Sequence, residues 1–228
     1  MAFCMGVSVP FIVLKDHQQD PDLDEKVKTF LMSDECRWRD ASISASDGKA
    51  LHDLIMANNY KQALEIGTST GHSAIWIAWA LSKTGGKLTT IETNEQRHQQ
   101  ALEDFEKAGL SEFIDARLVD AHEPVTELEG PYDFIFIDTN ADQYPEYIRM
   151  LLPKLRVGGC LSAHNVLDQR MSGVSEFLEE LRNTPDLETK ILRSSGSGLT
   201  VSFKRDVRSR SGHRVVRPSR EAVSCGSS

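Results

Sequence analysis

The stretch Ala63-Leu64-Glu65-Ile66-Gly67-Thr68-Ser69-Thr70-Gly71-His72-Ser73 decides the fold of this sequence. Its first four residues form a short, mainly apolar run that is typical of a buried β-strand. Two glycines four positions apart then allow a tight turn and a close backbone approach to a ligand. Residues 73–81 are apolar nearly all round, which predicts a buried helix. We therefore predict a strand, a glycine loop and a helix whose N-terminal amides face the loop.

Strands and helices continue to alternate toward the C-terminus. We predict strands at 63–66, 87–91, 114–119, 132–137 and 160–163, helices at 20–32, 47–58, 73–81, 94–108, 144–155 and 174–182, and a closing antiparallel pair at 187–193 and 199–204. Pro153 is expected to kink or break its helix, Gly158-Gly159 to precede the fifth strand, and Trp76 and Trp79 to lie in the core. This alternation predicts an α/β fold with a mostly parallel sheet and helices on both faces.

Composition divides the chain into three parts. We predict an N-terminal arm at 1–19, one folded domain at 20–204 and a disordered tail at 205–228, which carries six arginines and few apolar residues. The apolar residues 1–14 lack a basic start and a clear cleavage site. We therefore expect a packing arm or a dimer contact there and not a signal peptide.

Charge and cysteine content exclude several classes of protein. A formal net charge of −8 argues against nucleic acid as the main partner, because phosphate binding needs a basic face. The four cysteines lie far apart without the spacing of a zinc site, which favours a reduced, cytoplasmic protein. No stretch approaches the roughly 20 apolar residues that a membrane span needs, so we expect no membrane partner.

Polar residues or a glycine loop follow each of the five parallel strands. The loop at 67–71 follows the first, Glu92 the second, Asp120 the third, Asp138 the fourth, and His164 with Asn165 the fifth. Ligands bind beyond the carboxyl ends of the strands in an open parallel sheet. A carboxylate about 20 residues after the glycine loop can accept both hydroxyls of a ribose, a role that Glu92 would fill. The pattern predicts a ligand site at this rim.

In these motifs the chain resembles the class I O-methyltransferases that depend on S-adenosylmethionine (SAM), of the catechol and caffeoyl-CoA type. The stretches "LEIGTSTGHS", "TIE", the "DA" at 120–121, "FIFID" and "LRVGGC…HNV" follow the family's motifs in order, and the resemblance covers about residues 40–204. It implies a doubly wound, Rossmann-like, seven-stranded sheet, SAM as the cofactor, a small-molecule hydroxyl acceptor and a homodimer.

The resemblance also assigns roles to single residues. It places the methionine part of SAM on Glu65, Gly67, Thr68 and Ser73, the ribose on Glu92, the adenine on Asp120 and Ala121, the methionine amino group on Asp138, and a capping contact on Ile43. Ser69 and Gly71 of the glycine loop are further candidate cofactor-binding residues. His164 and Asp138 are the candidate catalytic residues.

Two positions depart from the family pattern. Metal-dependent members bind a divalent ion through Asp138, position 164 and Asn165, but position 164 is normally Asp and here is His, a poor ligand for Mg²⁺. The family lysine that deprotonates the acceptor corresponds to Ala141. Three interpretations stay open: a metal site for a softer ion, His164 as a metal-free general base, or His164 as a hydrogen-bonded wall of the pocket.

Other functions compete with methyl transfer. Residues 67–71 spell GxSxG, and Ser69, Asp138 and His164 follow in the order of a serine hydrolase. Such an elbow normally follows several strands, and a hydrolase gives Glu65 and Glu92 no role. A nicotinamide dehydrogenase would need GxGxxG, which is missing. A SAM-binding protein that has lost turnover is the remaining alternative.

Overall fold

The computed structural model describes residues 21–33, 43–119, 128–168 and 170–206. The predicted arm, the predicted adenine-binding residues Asp120 and Ala121, and the tail beyond residue 206 lie outside these ranges. Arg205, the first residue of the predicted tail, forms an ion pair with Glu188 at 2.8 Å. The three-part division of the chain stays a prediction.

A seven-stranded sheet forms the centre of the described chain. Its strands are β1 (Gln62–Ile66), β2 (Lys87–Glu92), β3 (Ile114–Leu118), β4 (Tyr132–Ile137), β5 (Leu155–Ala163), β6 (Leu187–Leu192) and β7 (Leu199–Lys204). They lie in the order β3-β2-β1-β4-β5-β7-β6. The first five strands pair in parallel, whereas β7 pairs antiparallel with both β5 and β6. The predicted doubly wound, Rossmann-like sheet with its antiparallel closing pair is confirmed.

Helices flank this sheet. They are α1 (Pro21–Met32), α2 (Ala45–Asn58), α3 (His72–Thr84), α4 (Glu95–Ala108), α5 (Tyr144–Leu151) and α6 (Val174–Asn183). Asn94 caps α4 by accepting a hydrogen bond from the backbone N–H of Arg97 at 2.9 Å, and Gly109 ends it in the left-handed conformation. None of the described helices is long and apolar enough to cross a membrane.

The central strand β4 shows how the sequence builds two cores. All six of its residues are buried, and successive side chains of a strand point to opposite faces of the sheet. Phe134 and Phe136 accordingly pack in one hydrophobic cluster, with α2, α3 and α4. Ile135 and Ile137 pack in the other, with α5 and α6. A strand covered on both faces needs such a run of apolar residues, which here extends from 134 to 137.

Three predicted details differ in the structure. The helix that begins at Tyr144 ends at Leu151 and continues as a short 3₁₀ turn through Pro153, because proline cannot extend the α-helical hydrogen bonds. The fifth strand begins at Leu155 and includes Gly158-Gly159, which accommodate a register shift against β4. Trp79 is buried as predicted, whereas Trp76 is half-buried, at the edge of an apolar groove.

The backbone segments just before β1 and β2 lie close together at Lys61 and Gly86, and this contact gives a test of the fold. We expect Gly86→Ala to lower the free energy of unfolding by about 1–3 kcal/mol, through overpacking. The added Cβ would lie 2.4 Å from the backbone oxygen of Lys61 and 2.6 Å from its Cα. Urea denaturation measures the loss.

Gly196→Ala is the matched control, because a Cβ there meets no described atom within 4 Å. Its stability should change by less than about 0.5 kcal/mol. Equal stability of the two variants would contradict the contact at Gly86.

Candidate functional site

A cavity of about 340 Å³ lies at the carboxyl ends of β1, β2, β4 and β5, where the sequence predicts a ligand site. Six of the predicted site residues line it: Gly67, Ser69, Glu92, Asp138, His164 and Asn165. Four other predicted residues are not among those that line the cavity. They belong to the end of β1, the loop and the first turn of α3, and they are Glu65, Thr68, Gly71 and Ser73. Asp120 and Ala121 lie outside the described residues.

The glycine loop needs its glycines for steric reasons. Gly67 has φ +97°, and a Cβ there would lie 2.1 Å from the backbone oxygen of Asp138. Gly71 has φ +95°, and its Cβ would lie 2.6 Å from the ring of Phe105. Both conformations are in the left-handed region that side chains disfavour. The loop can therefore pass close to the ends of β4 and α4 only with glycine at these positions.

Glu92 holds the glycine loop against the end of β2. Its Oε2 accepts a hydrogen bond from the backbone N–H of Ser69 at 2.7 Å. Its Oε1 accepts from the backbone N–H groups of Thr93 and Asn94, both at 2.9 Å. A carboxylate offers about four lone-pair positions, so Glu92 retains capacity toward the cavity it lines.

Glu65 is a fully buried carboxyl with one unsatisfied oxygen. Its Oε2 accepts from the hydroxyl of Thr90 at 2.5 Å, and this hydroxyl lies 2.6 Å from that of Thr68. Its Oε1 has no hydrogen-bond partner among the described residues. Burial raises the pKa of Glu65 to about 8, against the lowering effect of the Ser73 and Thr90 hydroxyls. A cationic group beside this carboxyl would favour its charged form.

Ile43 and His72 support the loop from behind. Ile43 is buried in the core cluster before α2 and does not line the described part of the cavity. Burial lowers the pKa of His72 to about 4, against a hydrogen bond with the backbone of Ile43. The neutral ring accepts a hydrogen bond from Nε1 of Trp76 at 3.2 Å. The capping contact of Ile43 with SAM stays a prediction.

His164 lies between two carboxylates at the end of β5. Its Nε2 is hydrogen-bonded to Oδ2 of Asp47 at 3.3 Å. Its Nδ1 lies 3.3 Å from Oδ2 of Asp138, an ion-pair distance without hydrogen-bond geometry, and has no hydrogen-bond partner in the described chain. The residue is only 4% exposed. Burial lowers the pKa of His164, but Asp138 and Asp47 outweigh it and raise the pKa above its ordinary value of 6.5.

Three backbone contacts fix His164 in place. Its N–H donates to the backbone oxygen of Ile137 at 3.1 Å, and its backbone forms a bridge with Leu199. The hydroxyl of Tyr144 donates to its backbone oxygen at 3.1 Å. The ring is therefore set by the end of the sheet and not by a mobile loop.

The sequence analysis missed Asp47, Thr90 and Ser197. Asp47 accepts from Ser44 in the first turn of α2, which reads as an ordinary helix start, and it lies 117 residues from His164. Thr90 is an interior residue of β2, and Ser197 lines the cavity from the loop between β6 and β7. Only Thr90 had a local signal, as a hydroxyl residue two positions before Glu92 at the end of a predicted strand.

The candidate metal ligands do not fit Mg²⁺. This ion prefers oxygen ligands in near-octahedral geometry, whereas His164 supplies a nitrogen. No three His, Cys, Asp or Glu side chains within the described ranges are arranged to hold a metal ion. The serine hydrolase alternative fails as well, because both ring nitrogens of His164 face carboxylates and not Ser69.

Comparison with known proteins gives one consistent result. A family profile described as O-methyltransferase matches residues 17–184. Caffeoyl-CoA O-methyltransferase 1 of Arabidopsis thaliana is 34% identical over 136 residues, which are 57% of this chain and 52% of that protein. Catechol O-methyltransferase of Niastella koreensis is 35% identical over 130 residues, 55% and 58% of the two chains. The matched region spans about half the length of these relatives.

Solved structures agree with this assignment over more of the chain. An O-methyltransferase of Bacillus cereus in complex with SAH, the demethylated product of SAM, has a TM-score of 0.68 and 27% identity, covering 85% of this chain and 94% of that one. The O-methyltransferase TomG of Streptomyces achromogenes, in complex with SAM, also has a TM-score of 0.68 and 27% identity, covering 83% and 92%. With the sheet order and the glycine rim, these matches establish that the chain belongs to the O-methyltransferase family.

Proposed function

We propose that this protein is a SAM-dependent O-methyltransferase that methylates a hydroxyl of a small molecule. The observation that carries the proposal is the cavity that Glu92 and the buried His164 both line. The solved relatives from Bacillus cereus and Streptomyces achromogenes contain SAH and SAM, which supports the choice of cofactor. Caffeoyl-CoA and catechol are the acceptors named for the relatives, which supports a hydroxyl acceptor.

The residues present fit SAM in charge and in hydrogen bonding. The backbone of Gly67 to Ser69 and the hydroxyl of Ser73 would hold the methionine part, and Glu92 would accept the ribose hydroxyls. The unsatisfied oxygen of Glu65 and the carboxylate of Asp138 suit its ammonium group. When bound, SAM supplies an electrophilic methyl group. The chain holds this group and the acceptor in one orientation, from which much of the rate gain in such a transfer arises.

His164 is the group best placed to take the proton of the acceptor. Its Nδ1 is without a hydrogen-bond partner in the described chain, and the residue lines the cavity beside Asp138. Ala141, at the position of the family lysine, is buried and carries no proton acceptor. In this proposal the acceptor hydroxyl gives its proton to Nδ1 as its oxygen attacks the methyl group.

A homodimer and a cytoplasmic location remain predictions from the sequence. The same holds for the adenine contacts of Asp120 and Ala121. Mg²⁺ is not part of the proposed reaction, because the donor set around His164 does not fit this ion.

We expect Glu92→Ala to weaken SAH binding about 10- to 100-fold, since a hydrogen bond to a charged group contributes about 1.5–3 kcal/mol. Isothermal titration calorimetry measures the loss. Glu95→Ala is the matched control, because Glu95 is an exposed acid in the first turn of α4 and should bind SAH normally.

Glu92 also holds the loop, so a second ligand isolates the ribose contact. A 2′-deoxy analogue of SAH should bind more weakly than SAH to the unaltered protein but equally to Glu92→Ala. Unchanged SAH affinity in Glu92→Ala, or no affinity in the unaltered protein, would contradict the proposed cofactor site.

We expect His164→Asn to lower kcat about 10²- to 10⁴-fold on any accepted catechol or phenol, the range for loss of a general base. SAH affinity should stay within about threefold, because the proposed cofactor contacts remain. Methyl-transfer assays and calorimetry measure the two quantities. An unchanged kcat would assign His164 to the wall of the pocket, and SAM binding without turnover on any acceptor would favour a protein that has lost catalysis.

We expect EDTA to leave the methyl-transfer rate within about twofold, and added Mg²⁺ to leave it unchanged, because His164 places a nitrogen where Mg²⁺ prefers an oxygen ligand. The assay compares chelated protein with protein given Mg²⁺, Mn²⁺ or Zn²⁺. Full dependence on Mg²⁺ would overturn the argument from donor chemistry, and rescue by Mn²⁺ or Zn²⁺ alone would favour the softer-ion site.

A further inference from the structure

We propose that Asp47 is a positioning residue that fixes the tautomer of His164 and so leaves Nδ1 as the basic nitrogen of the ring. The inference rests on the proposed function, since it explains how His164 could act as the base without a metal. It concerns a residue of α2, outside the strand ends that supply the rest of the site.

Asp47 is wholly buried where three parts of the chain meet. Its Oδ2 contacts Nε2 of His164 at 3.3 Å and accepts from the hydroxyl of Ser44 at 2.9 Å. Its Oδ1 accepts from the hydroxyl of Ser194, in the loop between β6 and β7, at 2.5 Å. Burial raises the pKa of Asp47, but hydrogen bonds from Ser194, Ser195 and Ser44, together with His164, outweigh it and lower the pKa. The carboxylate is therefore a fixed acceptor.

A fixed acceptor on one ring nitrogen decides the state of the other. Neutral imidazole has one N–H and one lone pair, and the hydrogen bond made by one nitrogen sets which carries the proton. Two carboxylates lie 3.3 Å from the ring, Asp47 at Nε2 and Asp138 at Nδ1, but of these two contacts only the one with Asp47 has hydrogen-bond geometry. Because ionised Asp47 can only accept, Nε2 of the neutral ring carries the hydrogen. The lone pair then lies on Nδ1, the atom without a hydrogen-bond partner in the described part of the chain.

The proton balance of the step follows from this arrangement. The O–H bond of the acceptor breaks and an N–H bond forms on Nδ1 of His164. The electron pair left on oxygen forms the new O–CH₃ bond as the C–S bond of the sulfonium breaks. The resulting imidazolium lies between Asp47 and Asp138, each 3.3 Å from one ring nitrogen, and later returns its proton to solvent.

A structural role for Asp47 predicts different results. Asp47 also belongs to the cap of α2, where its backbone N–H donates to Oγ of Ser44 at 3.1 Å. Ser44→Ala removes this cap and one hydrogen bond to Oδ2, but it leaves the Asp47 carboxylate opposite His164 with its hydrogen bond from Ser194. It is therefore the matched control for a variant that changes the carboxylate itself.

The decisive measurement is the ¹⁵N NMR spectrum of the His164 ring, assigned by its loss in His164→Asn and recorded above the pKa of His164. The unaltered protein should show the Nε2–H tautomer, and a predominant Nδ1–H tautomer there would overturn the proposal even if no variant folds. Asp47→Asn should shift the ring toward Nδ1–H and lower kcat at least about 100-fold, with SAH affinity and the acceptor KM within about threefold. Ser44→Ala should keep the tautomer and lower kcat by less than about tenfold, because Ser194 still donates to the Asp47 carboxylate.

The remaining outcomes also decide between explanations. An unchanged tautomer and kcat in Asp47→Asn, or an equal loss of kcat in Ser44→Ala, would overturn the proposal. If the unaltered protein methylates no acceptor, the proposed function fails, while the tautomer of His164 and its response to Asp47→Asn still test the positioning role.

Discussion

The close passage of Gly67 beneath the end of β4 is the constraint on which the rest of the site depends. The backbone N–H groups of Gly67 and Thr68 both donate to the backbone oxygen of Ile91 at 3.0 Å, so the loop is held by β2 on one side. On the other side only a hydrogen atom fits between Gly67 and the Asp138 carbonyl. This double restraint brings Glu92 and Asp138 to opposite sides of one turn, and any ligand over the turn contacts both strand ends.

The distribution of charge explains why a cationic cofactor suits this turn. Glu65, Glu92 and Asp138 come from three adjacent strands, and buried carboxylates near each other resist ionisation. Glu65 shows the effect, since burial raises its pKa to about 8 and Asp138 and Glu92 add to the rise. A ligand that carries an ammonium and a sulfonium would stabilise the ionised carboxylates and so offset the free-energy cost of ionising them. The demethylated product has lost the sulfonium charge and would stabilise the ionised carboxylates less.

The residues at the strand ends could be predicted from the sequence more completely than the hydrogen bonds that hold them from α2. Strand ends are set by local apolar runs and glycines, so local pattern alone assigns Gly67, Glu92, Asp138 and His164 to one edge of the sheet. Asp47 has no such signal, because its partner is 117 residues away and its local pattern indicates a helix start. The predicted start of β5 was wrong for a related reason: Gly158-Gly159 reads as a turn, and only pairing with β4 makes it part of a strand.

Position 141 explains why the proposed proton acceptor comes from the end of β5. Ala141 packs in the cluster that α5 and α6 share, and a Cβ on Gly173 would lie 2.1 Å from its backbone oxygen. This corner is thus closed by backbone, and no neighbouring side chain of the described residues replaces the family lysine from within it. The cavity wall at β5 instead carries a buried imidazole with one nitrogen bonded and one free of hydrogen bonds within the described chain. In the proposed reaction His164 would therefore take the role that the family resemblance assigns to a lysine at position 141.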